Sequence, residues 1–447
     1  MSAMWRGGDV SKIKHRDSTA KGRGMIFLRT KGICRPKRGG MWAMTRRFVA
    51  SSLAVALLCM AIAAVPGAAQ ELAPAPKTFD VGFPVEMSGD AAITGDLQRK
   101  GTEMALEKIN AEGGINGVPM RFIYEDTKGT NPGAISAFNK LLFSHNVIMS
   151  FATVRSTMVH ALAPIIKENE VPAIFGGSAW SLSELEVPWM FRVRTDDRTV
   201  AQIMAKFMVE DLGHKKIAGL HDSDAFGTGG FVETAKALKE MYGIDVLTEQ
   251  KYSTGTKDYT AQLLAIKNSG ATCVFAWGTR LEDDAIILRQ KAQLGLEVDF
   301  VGSASYSSTP IRDIAGDSVN GIYSAAGFTV ANDDPLVQEY VKEFQAKYGE
   351  LPDENSAWTY SSTLMLADAL RKANVIQVVD GKPMMLPTKE AREAIRQALK
   401  GVRDFKTPMG SYTCDKWNNM LHEMPIIQIV DRKDKLIKVV SMEPELE

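Results

Sequence analysis

Cysteine and histidine are scarce in this chain of 447 residues, which has four cysteines and six histidines. None of the histidines from His145 onward stands at metal-ligand spacing from a cysteine or another histidine, so the sequence predicts no metal site. Cys273 opens an apolar run and is expected to be a buried thiol. A disulfide between Cys273 and Cys414 is the alternative if the chain folds in an oxidising compartment.

The motifs of common enzyme classes are also missing. The chain has no Gly-x-Ser-x-Gly elbow, and only Gly89 and Gly95 follow the first predicted strand, where a dinucleotide loop needs three glycines. The run 227–230 lacks the Gly-Lys-Ser/Thr ending of a phosphate loop. His221 beside two aspartates suggests acid–base chemistry, but we interpret it as part of a strand-end loop. We therefore predict neither enzyme activity nor a cofactor, with a Rossmann-like enzyme as the distant alternative.

A basic body, which a nucleic-acid-binding protein needs, is absent as well. The formal net charge is 0, but this value averages two unlike parts. Residues 1–69 hold 13 basic and 2 acidic side chains, whereas residues 70–447 hold 40 basic and 51 acidic ones. The acidic body disfavours nucleic acid as a partner.

The basic N-terminal part has the features of an export signal. Arg46-Arg47 precedes the apolar stretch 48–65, and small residues then lead to a cleavage point before Gln70. The alternatives are a membrane anchor for the apolar stretch and a nucleic-acid-binding arm for the residues before it. We interpret this part as an extension outside the functional product, a cleaved signal peptide and a linker, at residues 1–43, 44–69 and 70–77.

The first segment with clear periodicity, residues 78–125, predicts a βαβ unit. Apolar residues alternate from Phe79 to Val85, as in a strand, and a helical stripe of apolar or small residues runs from Leu97 to Ile109. Gly113-Gly114 is expected to end the helix at positive φ, ahead of a second strand at 120–125.

Alternating strands and helices continue along the chain and predict two successive α/β lobes. The further predicted strands are 147–152, 171–175, 216–221, 245–247, 272–277 and 300–301. The further predicted helices are 131–143, 158–169, 231–242, 259–269 and 283–294, with one more starting at Val200.

Short motifs follow one another in a fixed order near the start of the first lobe. They are Ser88-Gly89, Thr94-Gly95, Arg99-Lys100-Gly101, Ile109-Asn110 and Gly113-Gly114-Ile115-Asn116-Gly117. This ordered set resembles the periplasmic leucine/isoleucine/valine-type binding proteins, the soluble receptors of ABC importers, and like residues continue from about Lys77 to the C-terminus. The resemblance implies an α/β chain with the type I periplasmic binding protein fold: two Rossmann-like lobes joined by three crossover segments.

The resemblance also implies a location, partners and lobe boundaries. It implies a monomeric periplasmic protein that binds a small solute, an amino acid or an organic or aromatic acid, and delivers it to ABC permease subunits. A ligand-sensing receptor of the same fold is the alternative function. The first lobe would comprise 78–195 and 328–408, and the second 196–327 and 409–447, with a last strand at 424–430. The crossings would lie near 194–197, 327–334 and 408–413.

Ligands of open parallel sheets bind outside the carboxyl ends of the strands, which between two lobes means the interlobe cleft. Two runs follow such strands in the first lobe, Arg155-Ser156-Thr157 and Gly177-Ser178-Ala179. In the family that this chain resembles, these loops hold the carboxylate of the ligand, and the N–H groups of a helix N-terminus favour such an anion. Capping of the following helices is the alternative role of the hydroxyls.

Loops of the second lobe are expected to close on the ligand with Phe226, Trp277, Arg280, Ala304 and Tyr306. Arg155 and Arg280 have solvation or pairing with nearby acids as their alternative.

Ala304 stands where amino-acid-binding relatives have an acid that pairs with the α-ammonium of the ligand. A buried ammonium without its partner is costly, so we expect a small carboxylate without an α-ammonium rather than leucine. The alternative is an amino acid, the commoner ligand of the family that this chain resembles, with Asp222, Asp224 or Glu282 in place of the missing acid.

Overall fold

The computed structural model describes residues 72–89, 91–441 and 446, and residues 70–447 form one compact unit. The extension and signal peptide expected from the sequence lie outside the described residues and stay predictions. The strands are β1 (Ala73–Pro74), β2 (Phe79–Val85), β3 (Met120–Asp126), β4 (Ser150–Phe151), β5 (Ala173–Phe175), β6 (Met190–Arg192), β7 (Ile217–Asp222), β8 (Glu249–Tyr252), β9 (Cys273–Trp277), β10 (Asp299–Gly302), β11 (Tyr323–Ala325), β12 (Ile376–Val379), β13 (Lys382–Met385), β14 (Phe405–Thr407), β15 (Gly410–Cys414), β16 (Met420–Leu421), β17 (Met424–Val430) and β18 (Lys433–Val440).

Helices alternate with these strands through most of the chain. The α-helices are α1 (Ala92–Ala111), α2 (Asn131–Phe143), α3 (Ser156–Asn169), α4 (Asp197–Lys206), α5 (Ala225–Tyr242), α6 (Thr260–Asn268), α7 (Leu281–Gln293), α8 (Thr309–Ala315), α9 (Pro335–Tyr348), α10 (Glu354–Lys372) and α11 (Thr388–Lys400). A π-helical turn, Phe207–Asp211, extends α4, and 3-10 turns lie at Trp180–Leu185, Ala304–Ser307 and Gly316–Val319.

A five-stranded parallel sheet in the order β3-β2-β4-β5-β6 forms the first lobe. β2 pairs with β3 along its whole length, from Phe79 opposite Met120 to Val85 opposite Asp126. Both faces of a central parallel strand are covered by helices, and accordingly every residue of β2 except Asp80 is buried. The βαβ unit predicted from the sequence is thus confirmed, although α1 begins before Leu97 because the apolar stripe marks only its buried face.

A seven-stranded sheet in the order β18-β17-β11-β10-β9-β7-β8 forms the second lobe. Its five strands from β7 to β11 are parallel, and β17 and β18 run antiparallel at one edge. The strand predicted at 245–247 is wrong. The strand that pairs with β7 in this part of the chain is β8, which begins at Glu249, opposite Gly219. The strand predicted at 147–152 shrinks to two paired residues.

Helix α10 comes late in the chain but completes the core of the first lobe. Its Trp358 is fully buried and stacks on Phe151 of β4, with ring centroids 6.1 Å apart. α10 also packs closely on α1 at Gly101, where an added Cβ would lie 2.2 Å from the carbonyl oxygen of Ser356. A glycine of the sequence motif therefore serves the contact between two helices that are far apart in the chain.

The segments that pass between the lobes contact one another. The hydroxyl of Tyr412 donates to the carbonyl of Val193, at 3.2 Å, and Thr195 lies 3.4 Å from the imidazole of His422. Met420 packs in the core of the first lobe and Met424 in that of the second. We propose that the third crossing lies at residues 421–423, after the predicted 408–413; the other lobe boundaries stay predictions.

Among the described residues, every helix is too short or too polar to span a membrane. No group of three or more of their His, Cys, Asp or Glu side chains is arranged to hold a metal ion. Cys273 and Cys414 are buried thiols that are not joined to each other, so the alternative of a disulfide between them is wrong.

Candidate functional site

A cavity that opens to solvent lies between the two lobes. The first lobe and its crossing segment line it with Thr94, Val154, Arg155, Ser156, Arg194, Glu354 and Asn355. The second lobe lines it with Asp224, Phe226, Gly278, Thr279, Leu281, Ala304, Ser305 and Ser308.

The first turns or N-caps of six helices converge on this cavity. Five of these helices follow parallel strands, which deliver them to the same edge of each sheet, whereas α10 follows α9. α1, α3 and α10 reach it from the first lobe, and α5, α7 and α8 from the second. A helix N-terminus carries a partial positive charge and N–H groups without intrahelical partners. The cavity is therefore suited to an anionic group.

The start of α3 brings Arg155 and Ser156 to the cavity wall. The hydroxyl oxygen of Ser156 accepts a hydrogen bond from the backbone N–H of Ala179, at 3.1 Å, which ties together the loops after β4 and β5. Within the described residues, no side chain at the N-cap position accepts from the first turn of α3. Nε of Arg155 lies 3.8 Å from a carboxylate oxygen of the buried Glu86, so the guanidinium at the wall has an acid behind it.

A second ion pair lies where the chain leaves the first lobe. Nε of Arg194 donates to the Glu354 carboxylate at 2.6 Å, and its Nη1 donates to the carbonyl of Gly176 at 3.3 Å. Burial works against the charged form of Arg194, but the carboxylate of Glu354 outweighs it and raises the pKa of the guanidinium above its ordinary value. This pair joins a crossing segment to the first residue of α10.

Asp224 is the acid that the second lobe brings to the cavity. It is the N-cap of α5, and its two oxygens accept hydrogen bonds from the Gly227 N–H, at 2.7 Å, and from the Thr279 hydroxyl, at 2.9 Å. Asp222 is buried behind it, and Glu282 does not line the cavity. Of the three acids that the sequence offered as substitutes at Ala304, only Asp224 lies at the wall.

The structure brings Arg155, Ser156, Phe226 and Ala304 together at the cavity, as the sequence predicts. Thr157 and the loop Gly177-Ser178-Ala179, which were also predicted, do not line it.

The loop 177–179 serves the crossing segment instead. The buried guanidinium of Arg192 donates to the carbonyls of Gly177 and Ala179, at 3.0 and 2.9 Å. The carbonyl of Ser178 accepts from the Asp197 N–H at 2.8 Å. Burial raises the pKa of Asp197 to about 8, although the hydroxyl of Ser178 and the charge of Arg192 oppose this.

The predicted ligand contacts of Trp277 and Tyr306 need correction, because both rings are core residues. Trp277 is 1% exposed, and its indole N–H donates to the hydroxyl of Thr234 at 3.0 Å. Tyr306 is 0% exposed and packs on Phe300, with ring centroids 5.2 Å apart. The ring of Trp277 packs edge-on against that of Phe226, with centroids 5.3 Å apart.

Arg280 also lies outside the lining of the cavity. Its guanidinium nitrogens lie 3.6 Å from Glu282 and 4.0 Å from Asp283, which agrees with the alternative of pairing with nearby acids.

A cluster of buried carboxyl groups backs the wall of the second lobe. Asp284 is fully buried, and burial raises its pKa well above the ordinary value, with the hydroxyls of Ser305 and Tyr306 acting against this. Burial likewise raises the pKa of Asp222. A Cβ added to Gly278 would lie 1.7 Å from Oδ1 of Asp284, so the close approach of backbone to carboxyl requires glycine.

Sequence reasoning missed several lining residues: Thr94, Arg194, Ser305, Ser308, Glu354 and Asn355. A signal for the last two was present in Asp353-Glu-Asn-Ser356, which predicts the start of a helix. The structure shows this capping box, with Asp353 accepting from the N–H groups of Asn355 and Ser356. Nothing local in the sequence indicates that this helix start faces the cleft.

Comparison with known proteins agrees with this architecture. Residues 78–435 match the family model described as periplasmic binding protein. The chain belongs to the periplasmic binding protein family. This binding protein is 28% identical over 336 residues to the Leu/Ile/Val-binding protein homolog 2 of Brucella abortus, and the match covers 75% of this chain and 85% of that protein.

Solved structures of similar proteins show the same fold. The branched-chain amino acid transporter substrate-binding protein of Streptococcus pneumoniae, in complex with isoleucine, matches with a TM-score of 0.71 at 20% identity, covering 82% of this chain and 100% of that chain. An ABC transporter solute-binding protein from R. palustris, in complex with benzoate, matches with a TM-score of 0.73 at 18% identity, covering 82% and 99%. The predicted type I periplasmic binding protein fold is thus confirmed.

Proposed function

We propose that this protein captures a small solute with a carboxylate group, an amino acid or a related acid, in the interlobe cavity and delivers it to an ABC permease. One observation carries the proposal: six helix N-termini and two arginines meet at a cavity between the lobes. Branched-chain amino acids, isoleucine and benzoate, which the similar proteins are named for or hold, all carry a carboxylate.

The carboxylate would lie at the start of α3. The backbone N–H groups of this turn and the Ser156 hydroxyl are donors there, and Arg155 adds a positive charge whose partner Glu86 is 3.8 Å away. Donors that are fixed before the anion arrives lose little freedom on binding. This favours an anion held by backbone and hydroxyl groups.

Delivery to a permease would depend on closure of the lobes. Closure about crossing segments is a hinge motion that buries a solute and changes the face presented to a partner. We propose export by cleavage before Gln70 and a periplasmic location, for which the signal-like stretch 44–69 is the support. We also propose a monomeric state, as the resemblance to the leucine/isoleucine/valine-type binding proteins implies.

A thermal-shift screen of amino acids, amides and organic and aromatic acids tests the function. A solute at 100 times its Kd should add about 2.7 kcal/mol to the free energy of unfolding. Ser156→Ala should weaken binding roughly tenfold because the anion loses a donor. The matched control is Thr130→Ala, which removes the hydroxyl that caps α2 away from the cavity and should change affinity less than about twofold. The proposal would be contradicted if no carboxylate in the screen stabilised the protein, or if the two variants changed affinity equally.

A further inference from the structure

The lining of the cavity is more polar than a branched aliphatic side chain requires. Ten of its fifteen residues are polar or charged, and the apolar members are Val154, Phe226, Leu281 and Ala304. Burying an aliphatic side chain against polar groups forfeits their hydrogen bonds with water and gains little in return. A polar group of the lining that has no partner within the protein must therefore find one on the solute.

Glu354 is a lining residue with a buried carboxyl oxygen that lacks a hydrogen-bond partner in the described part of the chain. It is 7% exposed, and its Oε1 is occupied by Arg194 at 2.6 Å. Its Oε2 is buried and has no hydrogen-bond partner among the described residues. An ionised carboxylate oxygen without a donor is costly to bury. Asp224, the other carboxylate of the lining, differs because both of its oxygens accept hydrogen bonds within the protein.

We infer that the solute presents a hydrogen-bond donor to Oε2 of Glu354, in addition to the carboxylate that the proposed function places at Ser156. The inference rests on that function and narrows its solute class. Since Arg194 already balances the charge of Glu354, the donor need not be a cation. The polar lining favours a hydroxyl or amide N–H on the side chain of the solute over a branched alkyl group.

The surroundings of Glu354 hold its carboxyl group in place. A Cβ added to Gly327 would lie 2.6 Å from Oε1 of Glu354, so the crossing segment leaves the carboxyl little room to turn away. Asp353, the preceding residue, caps α10 and accepts from the Ser308 hydroxyl of the other lobe at 2.6 Å. The acceptor is thus positioned from both lobes before a solute arrives.

Pairs of isosteric solutes test this inference separately from the proposed function, the binding of a small carboxylate. Calorimetry on the protein compares leucine with asparagine and valine with threonine, pairs of similar shape that differ in a side-chain donor. We expect the polar member of each pair to bind roughly 10- to 100-fold more tightly, since a hydrogen bond to a charged group is worth about 1.5–3 kcal/mol. Glu354→Gln should reduce that preference to within about threefold.

The panel also includes 4-methyl-2-oxopentanoate, in which an oxo group replaces the α-ammonium of leucine. If leucine and asparagine bind alike, the oxo acid binds at least about tenfold more weakly and Glu354→Gln weakens both amino acids, then the donor at Glu354 is the ammonium. The pairing with Glu354 then stands, and the preference for a side-chain donor is overturned.

Glu103→Gln is the control, because it breaks an exposed pair with Arg99, 3.1 Å across, on the outer part of α1. The isosteric comparison on the unmodified protein remains decisive even where Glu354→Gln fails to fold. If all solutes of the panel, the oxo acid included, bind within about twofold of one another to the unmodified protein and to Glu354→Gln, this inference is overturned while the function stays intact. Failure of every carboxylate in the panel and in the screen to bind would overturn the function and this inference together.

Discussion

The two lobes neutralise the charges around the cavity in different ways. The first lobe places each of its two cavity-lining arginines beside a buried acid, Arg155 beside Glu86 and Arg194 beside Glu354. The second lobe crowds carboxyl groups together, and burial raises the pKa of Asp284 and Asp222, which favours the neutral form of each. Ion pairs thus characterise one wall, whereas burial favours neutral carboxyl groups in the other.

Breaking an ion pair of the first wall should have the largest effect. Arg194→Met leaves the Glu354 carboxylate buried without its cation, and removing one partner of a buried pair costs about 3–5 kcal/mol. Chemical denaturation measures the loss. Arg99→Met, which breaks an exposed pair with Glu103, should cost less than about 1 kcal/mol. Similar losses in the two variants would show that the buried pair contributes no more than a surface one.

Crowding the carboxyl cluster of the second wall should have the next largest effect. In Gly278→Ala the new Cβ would lie 1.7 Å from Asp284, and overpacking of this kind costs about 1–3 kcal/mol. Gly401→Ala is the control, because the nearest atom to its Cβ lies 3.4 Å away. Thermal unfolding that ranks the two variants equally would refute the tight packing at Gly278.

Removing the cap of α5 tests the acid that stands at the surface of the second wall. Asp224→Ala deletes the acceptor for Gly227 and Thr279 and should lower the free energy of unfolding by about 1 kcal/mol. Asp334→Ala, which deletes the cap of α9, is a matched control with a similar cost. Solute affinity should change only in Asp224→Ala, because only that residue lines the cavity; a change in both would point to a general effect of cap loss.

The smallest expected effect is a change in how the free energy of unfolding depends on pH. Because the pKa of Asp284 is raised in the folded protein, the folded state holds its proton at pH values where the unfolded state, with a pKa of about 3.9, has released it. Stability should therefore fall as the pH rises above about 4. Asp284→Asn cannot lose a proton and should flatten the fall. Calorimetric scans from acid to neutral pH that give parallel curves for both proteins would contradict the protonated wall.

Much of the fold could be predicted because strands and helices of an α/β protein carry strong periodic signals. The bounds of β2 and α2 follow from alternation and from Pro132 near a helix start. The strand predicted at 245–247 failed because β8, Glu-Gln-Lys-Tyr, lies at an edge where polar side chains are tolerated. The position of β8 is set by its pairing with β7, and the composition of β8 gives no sign of this pairing.

The site was harder to predict because a strand end gives a place but not an orientation. Trp277 ends β9 as expected, yet its ring faces inward against Gly230, where an added Cβ would lie 2.0 Å from it. Arg194 and Glu354 were missed because 160 residues separate them. Only the folding back of the chain across the lobes brings them together.

A structure of the protein with the most stabilising solute of the screen bound would locate the binding site. We expect the solute to lie between the lobes, with its carboxylate at hydrogen-bond distance, about 2.7–3.2 Å, from Ser156 and the first turn of α3. We also expect a donor of the solute at the same distance from Glu354. A solute seated elsewhere, such as the hollow on the outer side of the first lobe beside Trp417 and Lys400, would contradict this expectation.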